Sequence, residues 1–224
     1  MATALISFRL IAGILTGFSH AALIANWGAA GVVTVTDLAN DNSSGGLATD
    51  ILSLKFVTEG TTNYFLMTIA AAPSTSTFSE AYMLNFDYAA GGANASGSYY
   101  IASGLTGIDE LIDTHFFQNI LVNRHDHEFI GGADPQFNTI AQSSLGIVFN
   151  TDASGTQLEW AVPGGVLPNY TGMNVDGSTL NPSVGGKTTY DTTNALAITP
   201  IPEPGAIALL TLGAAAFGLR RRRA

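Results

Sequence analysis

From Gly31 to Pro163 the apolar residues of this chain come in short runs, and most of the runs alternate with polar positions. Alternation sends successive side chains to opposite faces, which suits a half-buried strand and spoils the 3.6-residue stripe of a helix. Clusters of Gly, Ser, Thr and Asn separate the runs and supply turns. Strands are expected over Gly31–Thr36, Ile51–Thr58, Tyr64–Ala70, Ala81–Tyr88, Gly97–Ala102, Leu145–Asn150 and Gln157–Val162. Glu59-Gly60-Thr61-Thr62-Asn63 reads as the loop of a hairpin joining the second and third. Many short strands with regular turn signals predict an all-β fold, an antiparallel sandwich of jelly-roll or Ig-like type. One short helix is expected near Ile108–Asp113, and no internal repeat of fixed period is present. There is no cysteine, so such a domain is stabilised by burial without a disulfide.

The two ends read differently. Arg9 is followed by the apolar stretch Leu10–Phe18 and then by Ser19-His20-Ala21-Ala22. A positive charge, a short apolar run and small residues make a signal peptide, with cleavage by signal peptidase expected after Ala21 or Ala22. At the other end, Ile201-Pro202-Glu203-Pro204 precedes the apolar stretch Gly205–Leu219 and the cluster Arg220, Arg221, Arg222 and Arg223. The two prolines hold their segment extended and open to a protease. The apolar stretch would make a helix of about 22 Å, short of a hydrocarbon core of about 30 Å. The arginines favour the cytoplasmic side. The organisation expected is therefore a signal peptide at 1–22, a sandwich at 23–168, an Asn/Thr/Gly-rich tail with at most one strand at 169–200, and a terminal segment at 201–224.

Charge narrows the function. The 17 acidic residues lie between Asp37 and Glu203, where the only basic residues are Lys55, Arg124 and Lys187. So acidic a surface repels phosphate backbones and excludes nucleic acid as a partner. It attracts cations, or serves only to keep an exported domain soluble.

Pro202-Glu203-Pro204, the apolar span and the arginine cluster together resemble the PEP-CTERM sorting domain of Gram-negative bacteria. The resemblance implies recognition by exosortase, a transient hold in the inner membrane, and release to the cell surface or beyond. It also implies the company of exopolysaccharide. The body is similar to carbohydrate-binding module 9-like and DOMON-like β-sandwich domains. That likeness rests on Asp50-Ile51, Tyr64-Phe65, Tyr82-x-Leu84-x-Phe86-Asp87, Gly107-Ile108-Asp109 and Leu158-Glu159-Trp160 through Pro163.

Three groups of residues are candidates for binding. His125 and His127 fall on one face of a strand and could share a metal, with His115 or a distant carboxylate as third ligand and Glu128 on the other face. Asp87, Asp109, Glu110 and Asp113 could hold calcium, the candidate cofactor of an extracellular β module. Trp160, Tyr99, Tyr100, Phe116 and Phe117 could form an aromatic platform for a sugar. Each group has a plainer reading: a polar strand edge, surface acids, and core aromatics. No nucleophile elbow, zinc-protease motif or phosphate loop is present. The expectation is a non-catalytic surface or matrix protein associated with exopolysaccharide. A carbohydrate-binding module is the alternative, and a secreted hydrolase comes third.

Overall fold

The computed structural model describes residues 22–43, 46–73, 79–94, 103–117, 120–131, 136–167, 172–181 and 188–198. In chain order the strands are β1 (Val33–Thr36), β2 (Ile51–Glu59), β3 (Thr62–Ile69), β4 (Ser79–Asp87), β5 (Ala93–Asn94), β6 (Thr106–Ile108), β7 (Glu110–Phe117), β8 (Ile120–Gly131), β9 (Gln136–Ala141), β10 (Val148–Thr151), β11 (Gln157–Pro163), β12 (Met173–Asn181), β13 (Thr188–Thr192) and β14 (Leu196–Ile198). One sheet has the order β1-β2-β3-β11-β10. The other runs β13-β12-β4-β7-β8-β9, with β14 sharing the β13 side of β12. Every pairing is antiparallel, as an all-β sandwich requires.

The alternating runs explain the two layers. Leu54, Phe56, Phe65, Met67, Leu158 and Trp160 of the first sheet meet Tyr82, Leu84, Phe86, Ile112, Phe116 and Val175 of the second in one core. Phe65 packs edge-on against Phe86 across the layers, with ring centroids 5.3 Å apart. The expected hairpin is present: Glu59 pairs with Thr62 around Gly60, whose φ of 62° suits a residue without Cβ.

The outer face of the second sheet is itself covered. The excursion between β4 and β7, which includes the β5-β6 ribbon, lies on Ala81, Met83, Leu111 and Leu180 and adds Ala93, Leu105 and Ile108 to a second apolar cluster. A Cβ on Gly92 or Gly107 would run into the opposing ribbon backbone. Asp176 pins the returning chain: it accepts from Ser103 Oγ at 2.7 Å and Gly104 N at 2.8 Å, and from Asn85 Nδ2 at 2.7 Å. Burial pushes its carboxyl up to about 6 even against those donors.

Two expectations give way here. The segment Ile108–Asp113 is not helical: Ile108 ends β6, and from Glu110 the chain runs as β7, because β4 offers it a backbone ladder and Leu111 and Ile112 each find an apolar layer. The stretch after residue 169 is no loose tail: β12 pairs with β4 inside its sheet, and β13 and β14 extend that sheet beyond it. Its small residues hid it. Gly177 sits where a Cβ would press on Met67, and Ser178 and Thr179 are buried through hydrogen bonds instead of bulk.

Candidate functional site

Strand β7 carries carboxylates to both faces of its sheet. Its odd residues Leu111, Asp113 and His115 face outward and its even residues Glu110, Ile112, Thr114 and Phe116 inward, by the pleat. On β8, His125 stands opposite Asp113 and His127 opposite Leu111.

The outward centre is built on Asp113, which is 1 % exposed. Its Oδ2 lies 2.8 Å from His115 Nε2 and 3.2 Å from His127 Nε2. Its Oδ1 lies 3.5 Å from His125 Nδ1 and accepts the His125 backbone N–H at 3.0 Å. Burial alone would raise this carboxyl, but the bonds from His115 and His127 outweigh it and hold it well below the ordinary carboxylate range. The surroundings fix the pair. Gln142, fully buried, donates from Nε2 to the carbonyls of Asp113 and His125. His127 Nδ1 is 2.8 Å from Thr139 Oγ1 on β9. Ligand atoms of Asp113, His125 and His127 all lie within 4.8 Å of one another. The carboxylate nearest the two histidines is thus that of Asp113, opposite His125 on the neighbouring strand, with His115 bonded to it as well.

The inward centre is a cavity of about 510 Å³ at one end of the sandwich, lined by Tyr88, Glu110, Asp126, Glu128, Ile140 and Val166 among others. Glu110 and Asp126 are each 3 % exposed and stand side by side, with a hydrogen bond between them when one carries a proton. Tyr88 Oη donates to Glu110 Oε2 at 3.1 Å. Burial, and next the charge of Asp126, push Glu110 up to about 9. Burial raises Asp126 as well.

The four acids expected to hold calcium do not converge. Asp113 belongs to the histidines and Glu110 to the cavity. Asp109 Oδ2 caps the backbone of Tyr88 and Ala89, at 2.8 Å each, and Asp87 sits beside it, raised by burial and by that neighbour. A different trio, Asp37, Asp41 and Asp191, comes within 4.8 Å. Nothing in their spacing along the chain announced it.

Comparison with known proteins identifies the C-terminus: residues 200–223 match the PEP-CTERM protein-sorting motif. The chain carries an exosortase sorting signal. The motif marks an exported protein that is processed by exosortase on its way through the membrane to the cell surface. No curated protein and no solved structure matches the chain. The resemblance of the body to carbohydrate-binding module 9-like and DOMON-like domains therefore finds no support.

The sorting residues Ile201, Pro202, Glu203, Pro204 and Arg220 to Arg223 lie outside the described residues, as does Ala21. Among the described residues no helix is long and apolar enough to cross a membrane. The aromatic platform does not form as expected. Trp160 is fully buried, donates from Nε1 to Thr114 Oγ1 at 2.9 Å and packs on Phe149, and Phe116 is also core. Tyr99, Tyr100 and the side chain of Phe117 lie outside the described residues.

Among the buried carboxylates that sequence reasoning missed is Glu159. It points outward from β11 yet has no exposed surface. The first residues after the signal segment fold over it: Ile24 N donates to Oε2 at 2.7 Å, and Ala25 N and Trp27 Nε1 donate to Oε1 at 3.1 and 2.9 Å.

Proposed function

We propose that the domain works outside the cell as a non-catalytic component of the surface layer, held in exopolysaccharide after exosortase has removed its tail. The observation that supports this reading is the seam between fold and motif. The last of the described strands ends at Ile198 and the sorting motif begins at residue 200. Cleavage near Pro202 would leave every described strand in the released chain. Cleavage by signal peptidase after Ala21 or Ala22 would likewise spare the Ile24–Trp27 strap on Glu159. Fractionation of the producing cells with mass spectrometry of the termini tests the proposal. A chain starting at Ala22 or Leu23, ending near Pro202 and recovered with the extracellular polymer supports it. A chain that keeps Arg220–Arg223 in the inner membrane overturns it.

One observation favours a second reading, carbohydrate binding. The cavity offers two neighbouring carboxyl groups, Glu110 and Asp126, beside apolar walls from Ile140 and Val166. Sugar hydroxyls donate to carboxylates, and C–H faces pack on such walls. Calorimetric titration with oligosaccharides cut from the host's own exopolysaccharide should show binding that Glu110→Gln weakens. Equal affinity in that variant would remove the cavity from the account.

A further inference from the structure

We propose that Asp113, His125 and His127 form a binding site for a divalent transition metal of the zinc type, on the outer face of the second sheet and separate from the acidic cavity. Two imidazoles and one carboxylate are the donor set of an open zinc site, which leaves a fourth position to water. The spacing fits. Ligands bonded to one tetrahedral zinc at about 2.0–2.1 Å stand about 3.3–3.4 Å apart. His127 Nε2 stands 3.2 Å from Asp113 Oδ2 and His125 Nδ1 3.5 Å from Oδ1, the other oxygen of the same carboxylate, and one donor atom from each of the three residues lies within 4.8 Å of the other two. Both carboxylate distances are longer than a strong charged hydrogen bond, which runs about 2.7–2.9 Å.

The ligands are also held from behind, as metal sites require. When His127 presents Nε2 to an ion, its Nδ1–H donates to Thr139 Oγ1, whose distance is 2.8 Å. Gln142 fixes the carbonyls of the two facing ligand residues, Asp113 and His125. His115 Nε2, 2.8 Å from Asp113 Oδ2, holds the carboxylate as a positioning residue. Access is built in as well: the His125 side chain is 34 % exposed and that of His127 only 4 %, so an ion enters past His125 and rests against His127. Nitrogen donors select zinc, copper, nickel or cobalt over calcium and magnesium.

The test uses the exported protein, stripped with chelator and titrated with Zn²⁺ by calorimetry and with Co²⁺ by visible absorption. The expected result is one ion per chain, cobalt bands of low-coordinate type, and no competition from millimolar Ca²⁺. His125→Ala, at a half-exposed position that the fold does not need, should abolish stoichiometric binding while leaving the circular dichroism unchanged. His115→Gln should keep the site and weaken it about tenfold, the usual effect of losing an outer partner. Wild-type protein that takes up no Zn²⁺, or a His125→Ala variant that binds it as the wild type does, would overturn the proposal. So would a Ca²⁺ ion that displaces Zn²⁺ there.

Discussion

Glu110 and Asp113 lie three residues apart on β7, and both are almost wholly buried. One is pushed up to about 9 and the other is held well below the usual carboxylate range. Burial acts on both in the same direction, so burial is not what separates them. The pleat sends Glu110 inward to meet Asp126, a second acid, and Asp113 outward to meet imidazoles from β7 and β8. A buried carboxyl takes its character from the partner across the strand, which is a matter of register.

This contrast can be probed from below, from each side and from a distance. The largest effect should come from the core beneath β7. Trp160→Ala removes a fully buried ring bonded to Thr114 and should cost about 4 kcal/mol in chemical denaturation. A platform residue would instead leave stability unchanged. Next, Asp113→Ala leaves its histidines without their shared carboxylate and should cost about 3 kcal/mol at neutral pH. The sign with pH follows from the depressed carboxyl: its contribution is complete above the unfolded value of about 4 and fades as the pH falls below it. Denaturation midpoints of wild type and variant should therefore converge in acid.

Glu110→Gln should act in the opposite sense. A carboxyl raised to about 9 when folded binds its proton more tightly than in the unfolded chain, so the wild type loses stability as the pH climbs from about 4.5 to 9. Glutamine removes that slope and should stabilise the protein by about 2 kcal/mol at pH 8, well short of the full proton linkage, because Asp126 shares the strain. A variant as pH-dependent as the wild type would place the raised group elsewhere. The smallest effect should be at Glu159, which meets backbone and indole N–H groups and neither an acid nor an imidazole. Glu159→Gln keeps the shape and one acceptor, so the loss should be about 1 kcal/mol, read together with faster proteolysis before Trp27.

Much of the sandwich was legible because alternation is a local signal. Ile51–Thr58, Tyr64–Ala70, Ala81–Tyr88 and Gln157–Val162 became β2, β3, β4 and β11 with their ends shifted by at most two residues. The segments that misled were those whose apolar content is thin or ambiguous. Ile108–Asp113 has helical spacing as well as alternation, and only the ladder to β4 decides between them. Residues 173–181 look like linker because they include Gly177, Ser178 and Thr179, small groups that a central strand needs where Met67 crosses close by. The histidine pair was legible by its i, i+2 spacing. Its carboxylate was not, because chain order sets Asp113 among Asp109 and Glu110 and only strand pairing sets it opposite His125.

By itself the sequence determined the all-β class, the acidic charge and the sorting signal. All three are read from local composition and order, and the signal is recognised as a linear segment. The tertiary structure decided what each buried carboxyl does. Asp113, Glu110, Glu159 and Asp176 are ordinary acids in one dimension, and they become a histidine cluster, a cavity wall, an anchor for the first residues and a pin for the covering loop only when pairing register chooses their neighbours. Charge interactions depend on distances of a few ångströms in a dry interior, and those distances exist only after the sheets have formed.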